Sequence, residues 1–413
     1  MTNPPSSVLI VGAGLAGAKT AEALRDQGFA GAITLLGSET HLPYERPPLS
    51  KDYLLGKAEL DAATVHPAEW YREHDVELLL GTEVAAIHPD THEIELAGGQ
   101  RLGYGALVLA TGSEPRKLPL PGADADGVHV LRTREDSEAI RDLFGAERRL
   151  AVIGAGWIGL EVAAAACEHG TAVTIFEAAE LPLLAVLGPE MGAVFAELHR
   201  DHGVNLRLGA SIAEISASDG RADGIVLADG TRVPADAVIM GVGVRPRVEL
   251  ARAAGLDVDD GVLVDAALRA SAPDVYAVGD IAAHDHPVLR RRIRVEHWAT
   301  ALNQPATAAA AILGADKPYE NLPYFFSDQY DLGMEYVGFA GPGDDTRVIV
   351  RGDLGKREFV AFWLDPDHHL LAAMNVNVWD VPDAVKPLIA GRVVVDPAKL
   401  ADPDVPYAEV GAA

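Results

Sequence analysis

The sequence predicts an α/β protein with two Rossmann-like domains and a smaller α+β domain at its C-terminal end. Two glycine-rich turns of nearly the same design carry most of this prediction, "VGAGLAG" at residues 11–17 and "IGAGWIG" at residues 153–159. Each turn follows a short apolar run, as a buried parallel strand does, and precedes a helical pattern. After about residue 320 the pattern changes to alternating strands, which indicates a separate and smaller domain.

Composition limits the classes of protein that the chain can belong to. Its 413 residues are 49% hydrophobic, which supports two or three domains with real cores. A net charge of −27 argues against nucleic-acid binding and against adsorption to an anionic membrane. Cys167 is the only cysteine, so we expect no intramolecular disulfide and no thiolate metal site, and we predict it to be a small core residue. No signal peptide or long apolar stretch is visible, so we expect a cytoplasmic protein with no membrane contact.

The spacing of the glycines has a physical meaning. Both turns have the pattern G-x-G-x-x-G, at Gly12, Gly14 and Gly17 and at Gly154, Gly156 and Gly159. The first glycine permits a tight turn, the second lets a pyrophosphate approach the backbone, and the third lets the helix pack on the strand. The spacing therefore predicts two dinucleotide sites.

An acid follows each turn at the distance where a carboxylate can accept hydrogen bonds from a ribose, Glu39 in the first copy and Glu177 in the second. The Glu177 carboxylate would repel a 2′-phosphate, and the next residues, Ala178 and Ala179, supply no arginine to bind one. The second site is therefore predicted to take NAD rather than NADP.

The chain consists of two similar halves. "ALVLATGSEPR" (106–116) and "AVIMGVGVRPR" (237–247) are return strands that each follow a glycine-rich hairpin, and "DVYAVGDIA" (274–282) adds a later strand. We predict a discontinuous FAD-binding domain, an NAD-binding domain between its two parts, and a C-terminal domain. The predicted bounds are 1–115 with 248–320, 116–247, and 321–413.

Three further segments carry a resemblance, "ERPPLSKDYLLG" (45–56), "FSDQY" (326–330) and "VGD" (278–280). With the two turns, they resemble the glutathione-reductase-like flavoproteins that have two dinucleotide-binding domains. Within that fold, residues 7–405 are similar to the NADH-dependent ferredoxin reductases of bacterial oxygenase systems. The resemblance implies FAD at the first turn, NADH at the second, and a [2Fe–2S] ferredoxin as the partner. That ferredoxin would serve a cytochrome P450 or a ring-hydroxylating dioxygenase.

The resemblance also implies site residues. The FAD positions are Gly12, Gly14, Leu15, Ala16, Gly17, Ser38, Glu39, Arg46, Lys51, Ala110, Thr111, Gly112, Asp280 and Trp298. The NAD positions are Gly154, Gly156, Trp157, Ile158, Gly159, Glu161, Glu177 and Gly243. Lys51, Glu161 and Trp298 are implied to be catalytic. Lys51 would reach the flavin N5 edge, Glu161 would pair with Lys51 and contact the nicotinamide amide, and Trp298 would lie beside the isoalloxazine.

Each of these assignments has a structural alternative. Glu161, placed in the first turn of its helix, could be an acid stabilised by the helix dipole. Asp280 could be a turn or capping residue, Lys51 a solvated charge, and Trp298 an ordinary core residue. Phe326, after Phe325, replaces the tryptophan that many family members have before "SDQ".

The segment "LRRRIR" is a basic run in an acidic chain and follows the Asp280 motif. Arg290, Arg291, Arg292 and Arg294 are therefore candidates for docking an acidic ferredoxin, although a solvated arginine strand would have the same sequence. His284, His286, His368 and His369 are predicted to be surface residues rather than metal ligands.

Three other functions stay open from the sequence. These are a rubredoxin reductase, an NADH oxidase, and a non-catalytic interaction protein of the apoptosis-inducing-factor type. The oligomeric state, monomer or weak dimer, is also open.

Overall fold

The computed structural model describes residues 4–341 and 343–412, which form two compact units. The first unit contains the chain up to Glu45, Leu60–Glu114 and Arg245–Tyr324. The second unit contains Arg46–Glu59, Pro115–Val244 and the chain from Phe325 onward.

The first unit differs from the predicted FAD-binding domain mainly at one segment. Residues 46–59 were predicted to lie in the first domain but belong to the second unit. The reason is a buried contact, because Leu54 is fully buried in the same hydrophobic cluster as Leu160 and Leu332. That cluster also explains why the C-terminal part belongs to the second unit. The division into FAD, NAD and C-terminal domains stays a prediction.

The first unit is built on a five-stranded parallel sheet. Its strand order is Val76–Leu79, Ala32–Leu36, Ser7–Val11, Ala106–Leu109 and Val275–Ala277. The strand before the first glycine turn is central and its last four residues are buried, which explains its continuous apolar sequence.

The second unit repeats four strands of this parallel sheet in the same order, but its fifth, edge strand comes from the segment before the second glycine turn rather than from a later part of the chain. Its strands are Asn205–Arg207, Ala172–Phe176, Arg149–Ile153, Ala237–Met240 and Val128–His129. The strand before the second glycine turn again occupies the centre. The predicted pair of Rossmann units is therefore confirmed.

Each unit also contains an antiparallel three-stranded meander, as the glycine-rich hairpins predicted. The strands are Val84–His88, Glu93–Leu96 and Arg101–Gly103 in the first unit, and Ile212–Ser218, Arg221–Leu227 and Arg232–Pro234 in the second. The first unit has a further mixed sheet of Val258–Asp259, Gly261–Val264, Ala282–His286 and Arg291–Ile293. Two short strands, Ser113–Pro115 and Val244–Pro246, lie where the chain passes between units.

The C-terminal part of the chain forms a five-stranded sheet, which confirms the predicted change of architecture. In spatial order its strands are Tyr324–Gln329, Leu332–Gly338, Leu370–Val376, Glu358–Leu364 and Arg347–Asp353. The last four pair antiparallel, and their alternating apolar residues supply much of the second unit's core.

Helices cover these sheets. In the first unit they are Leu15–Asp26, Ala68–Glu73, Glu249–Ala253 and Trp298–Ile312. In the second they are Arg134–Arg141, Trp157–Glu168, Leu184–Asp201, Pro382–Ala390 and Pro397–Ala401. Short 3₁₀ turns occur at Pro47–Ser50, Leu60–Ala63, Pro89–Thr91, Gly279–Ile281 and Tyr407–Glu409. Within the described residues, no helix has the length and apolar character needed to cross a membrane.

Candidate functional site

In the first glycine turn, the backbone packs too closely for a side chain at two of the three glycines and leaves open space at the third. A Cβ on Gly12, which has φ +117°, would lie 2.2 Å from the Ala110 carbonyl oxygen. A Cβ on Gly17 would lie 1.9 Å from the carbonyl oxygen of Gly12. A Cβ on Gly14 would meet no described atom within 4 Å, so this position leaves open space beside the backbone. That space is the place where a pyrophosphate can approach.

The second turn has the same geometry. Gly154 has φ +97°, and its Cβ would lie 2.5 Å from the Gly241 carbonyl oxygen. A Cβ on Gly159 would lie 2.2 Å from the carbonyl oxygen of Gly154. At Gly156 the nearest atom to a Cβ would be 3.9 Å away, so the middle glycine is again open.

Both helices that follow begin without a side-chain cap among the described residues. Leu15–Asp26 starts after Gly14 and Trp157–Glu168 after Gly156, and neither has an acid in its first turn. Their first N–H groups and positive dipole ends are therefore suited to an anionic ligand. With the open middle glycines, both turns fit the pyrophosphate of a dinucleotide.

The two predicted acids are held in different ways. The Glu177 carboxylate accepts hydrogen bonds from the backbone N–H groups of Ala155 at 2.7 Å and Ala179 at 2.8 Å. This anchors Glu177 directly to the second glycine turn. Glu39 accepts a hydrogen bond from the Tyr44 hydroxyl at 2.6 Å, and Ser38 beside it is exposed.

Lys51 and Glu161 form a buried ion pair in the second unit. The Lys51 Nζ lies 2.8 Å from Glu161 Oε1, and the two side chains are only 15% and 3% exposed. Ser50 Oγ donates to Glu161 Oε2 at 2.5 Å, and Ser327 Oγ donates to Oε1 at 2.6 Å. A carboxylate that accepts from three donors is fixed in orientation.

The position of Glu161 corrects one detail of the sequence analysis. Glu161 was predicted to lie in the first turn of its helix. The helix starts at Trp157, so Glu161 lies one residue beyond that turn. Stabilisation by the helix dipole falls off within the first turn. Glu161 is instead held by its contacts with Lys51, Ser50 and Ser327.

The comparisons with known proteins can now be stated. A family model described as "Pyridine nucleotide-disulphide oxidoreductase" matches residues 6–305, and one described as "Reductase C-terminal" matches residues 324–410. The chain belongs to the pyridine nucleotide-disulphide oxidoreductase family. This membership confirms the predicted cofactors, FAD and NAD(H).

Known proteins match this chain over nearly its whole length. The ferredoxin–NAD(+) reductase component of the anthranilate 1,2-dioxygenase system of Burkholderia cepacia is 43% identical and covers 96% of this chain and 97% of its own. Putidaredoxin reductase of Pseudomonas putida is 40% identical, with coverage of 100% and 98%. The crystal structure of a covalent putidaredoxin reductase–putidaredoxin complex matches with a TM-score of 0.94 at 40% identity, covering 99% of this chain and 98% of that one.

The other predicted FAD residues of this family member are divided between the units. Ala110, Thr111, Gly112, Asp280 and Trp298 lie in the first unit, whereas Arg46 and Lys51 lie in the second. The Thr111 hydroxyl donates to the Arg247 carbonyl at 2.9 Å, and the Trp298 Nε1–H donates to Glu45 at 2.9 Å. The Arg46 guanidinium donates to the Arg132 carbonyl. The roles of these residues toward FAD stay predictions.

The aromatic residues before "SDQ" have separate surroundings. Phe325 packs between Trp157 and Tyr336, with ring centroids 5.1 and 5.0 Å away. The Phe326 ring centroid lies 5.5 Å from the Lys51 Nζ. Phe326 therefore lies beside the ammonium group of Lys51. Beside Trp157, Ile158 is 41% exposed, and Gly243 has φ +91° with open space at its Cβ.

The sequence analysis missed three polar residues of the candidate site. Ser50 and Ser327 bind Glu161, and Gln304 accepts the Gly279 N–H at 2.8 Å, next to Asp280. Both serines lie inside motifs already singled out, "PPLSK" and "FSDQY". Only the fold shows that these two motifs meet at one carboxylate.

The surface prediction for His284 and His286 is wrong. Both side chains are about 1% exposed, because alternation along the strand Ala282–His286 points them to the same inner face. Burial lowers the pKa of His284 to about 4 and also lowers the pKa of His286. His368 is exposed and His369 half-buried, as expected for surface histidines. Cys167 is only half-buried, at the edge of the second unit's core.

The arginines of the basic run have different surroundings. Arg290, Arg291 and Arg292 are exposed, but Arg292 makes a two-bond pair with Asp285 at 2.9 and 2.7 Å. Arg294 is 9% exposed and pairs with Asp260 and Glu296, so its place in the predicted patch is wrong. Across the described ranges, no cluster of three or more histidine, cysteine or acidic residues is arranged to hold a metal ion.

Proposed function

We propose that this chain is an FAD-containing NADH:ferredoxin oxidoreductase. It would pass electrons from NADH to a [2Fe–2S] ferredoxin that serves a cytochrome P450 or a ring-hydroxylating dioxygenase. The observation that carries the proposal is the Lys51–Glu161 pair. Glu161 lies on the helix that follows the open second glycine turn, and named ferredoxin reductases match this chain over nearly its whole length.

The number of cysteines separates this chain from the disulfide-reducing members of its family. A redox disulfide needs two cysteines, and the sequence has only Cys167. Cys167 lies near the end of the helix Trp157–Glu168, and burial raises the pKa of its thiol, which disfavours the reactive thiolate. The electrons therefore have to leave the protein without a thiol intermediate.

The residues of the second unit bind and orient the nicotinamide cofactor. The backbone at Gly156 and the start of the helix Trp157–Glu168 would hold its pyrophosphate, and Glu177 would accept from the adenosine ribose. Glu161 would accept from the nicotinamide amide. Lys51 pairs with Glu161 Oε1 at 2.8 Å and so holds the carboxylate in place as an acceptor.

The first unit would hold FAD through Gly14 and the start of the helix Leu15–Asp26, with Asp280 toward the ribityl chain. When bound, FAD supplies the ability to take two electrons from NADH and to release them one at a time to an iron–sulfur cluster. We propose that Trp298 lies along the isoalloxazine, with its indole N–H fixed by Glu45.

The enzymatic proposal is tested by NADH-dependent reduction of cytochrome c, with and without an added [2Fe–2S] ferredoxin. Ferredoxin should raise the rate strongly, since it carries electrons to cytochrome c, while oxygen consumption stays low. Fast oxygen consumption without ferredoxin stimulation would instead support an NADH oxidase. Stimulation by rubredoxin alone would support a rubredoxin reductase, and no NADH oxidation at all would support the interaction protein.

We further propose that Arg290 and Arg291 contribute to ferredoxin docking, because ferredoxins are usually acidic and the chain itself carries a net charge of −27. Arg290→Glu with Arg291→Glu should slow ferredoxin reduction, most strongly at low salt, and leave ferricyanide reduction unchanged. Arg101→Glu is the matched control, an exposed arginine on the meander of the same unit. Equal slowing with both acceptors, or by the control, would reject this docking face.

A further inference from the structure

A continuous row of buried polar side chains leads from Glu161 into the second unit. Ser327 Oγ lies 2.6 Å from Glu161 Oε1, Gln329 Nε2 lies 3.1 Å from Ser327 Oγ, and His199 Nε2 lies 2.9 Å from Gln329 Oε1. Tyr330 Oη lies 3.3 Å from His199 Nδ1. Glu161 is 4% exposed, and Ser327, Gln329 and His199 are at most 1% exposed.

The charge of Glu161 fixes the direction of every hydrogen bond in this row. A carboxylate only accepts hydrogen bonds, so the Ser327 hydroxyl donates its one proton to the hydrogen bond with Glu161. Ser327 can then only accept from Gln329, so the amide N–H₂ of Gln329 faces Ser327 and its oxygen faces His199.

The same logic sets the state of His199. Because the Gln329 oxygen accepts, the proton of His199 is on Nε2, and Nδ1 accepts from the Tyr330 hydroxyl. Burial lowers the pKa of His199 to about 4, so the imidazole is neutral near pH 7, as this pattern requires. All four donors therefore point toward Glu161.

The carboxylate retains one position for a ligand. Its two oxygens offer about four acceptor positions. Among the described residues, Lys51 and Ser327 use two on Oε1, and Ser50 uses one on Oε2. One acceptor position on Oε2 remains, and a primary carboxamide N–H, the group on nicotinamide, is a donor that fits it.

We propose that Ser327, Gln329 and His199 are positioning residues that hold the Glu161 carboxylate in the orientation for the nicotinamide amide. The inference rests on the proposed role of Glu161 in binding NAD(H). On this proposal the "FSDQY" segment orients Glu161, because its residues Ser327 and Gln329 link Glu161 to His199 on the helix Leu184–Asp201. A simple core-filling role would instead affect every ligand of the second unit alike.

The test compares two ligands of the FAD-loaded protein by calorimetry, NAD⁺ and ADP-ribose, which lacks nicotinamide. Ser327→Ala should weaken NAD⁺ binding by about fivefold, a fraction of what a hydrogen bond to a charged group contributes, and leave ADP-ribose binding unchanged. Gln329→Leu, close in size, should give a smaller loss in the same direction and takes the place of Ser327→Ala if that variant does not fold.

The matched control is Ser216→Ala. Ser216 is also a buried serine of the second unit whose hydroxyl donates to a carboxylate, Asp223, at 2.6 Å, but it belongs to the meander. Its loss should change neither ligand's affinity. If Ser327→Ala weakens NAD⁺ and ADP-ribose equally, or changes neither, the positioning proposal is overturned.

Glu161→Gln, measured in the same way, separates this inference from the proposed function. A selective loss of NAD⁺ affinity in Glu161→Gln but not in Ser327→Ala overturns only the positioning proposal. An unchanged affinity ratio in Glu161→Gln overturns both the nicotinamide contact and the positioning proposal that depends on it. Neither measurement uses ferredoxin, so a failure of ferredoxin reduction is a separate result.

Discussion

Lys51 and Glu161 are expected to be strongly coupled in energy. Glu161→Gln keeps the size of the side chain but leaves the Lys51 ammonium, 15% exposed, without its counter-charge. Removing one partner of a fully buried pair costs about 3–5 kcal/mol, and the water that Lys51 still contacts reduces our expectation to about 2–3 kcal/mol. Lys51→Met should cost about 2 kcal/mol, since Ser50 and Ser327 still stabilise the anion.

The double variant leaves no buried charge at this position. Its loss of stability should therefore be smaller than the sum of the two single losses by about 2 kcal/mol, which is the coupling energy of the pair. Native-state hydrogen exchange of the helix Trp157–Glu168 measures this locally, in the FAD-loaded protein without NAD(H).

The same helix supplies the control. Lys57 and Glu168 also pair at 2.9 Å, but their side chains are 57% and 35% exposed. The cycle of Lys57→Met and Glu168→Gln should give a coupling below about 1 kcal/mol, as for exposed ion pairs. If the losses in the two single variants at Lys51 and Glu161 add up to the loss in the double variant within about 0.5 kcal/mol, the coupling is refuted.

Three other outcomes are expected. Glu177→Ala should raise the KM for NADH several-fold, because the ribose loses its acceptor, and an unchanged KM would remove that role. Asp280→Ala should lower the FAD content of the purified protein, and full flavin absorbance would contradict the ribityl contact. Burial lowers the pKa of His284 from 6.5 to about 4, so the unfolded state binds more protons between these values and stability is lost as the pH falls through that range. The loss should reach about 3 kcal/mol, and a denaturation series from pH 7 to 4 should show a shallower decline in His284→Gln.

The parts of the fold that the sequence predicted are those that depend on neighbouring residues. Each glycine turn, its preceding strand and its following helix lie within about 25 residues, so spacing and apolar runs were enough to place them. The polar site depended on distant parts of the chain. Ser327 reaches Glu161 only because the C-terminal strand Tyr324–Gln329 packs in the second unit.

The two errors have a common physical origin. His284 and His286 were predicted to be surface residues, but they alternate along a strand and share one buried face. "LRRRIR" was treated as one patch, but Arg294 finds its acid at Asp260, on a separate loop. In both cases the composition of a short segment was used where the direction of each side chain decided the outcome.

The position of the strand Val275–Ala277 has a consequence for synthesis. This strand completes the first sheet by pairing with Ala106–Leu109, yet the whole of Pro115–Val244 is translated between the two. During translation, the strand Ala106–Leu109 of the first sheet therefore has an unpaired edge while all strands of the parallel sheet of the second unit emerge and can fold. The parallel sheet of the second unit is therefore translated in full before the last strand of the first sheet, so the first sheet can be completed only after the second has had the opportunity to fold.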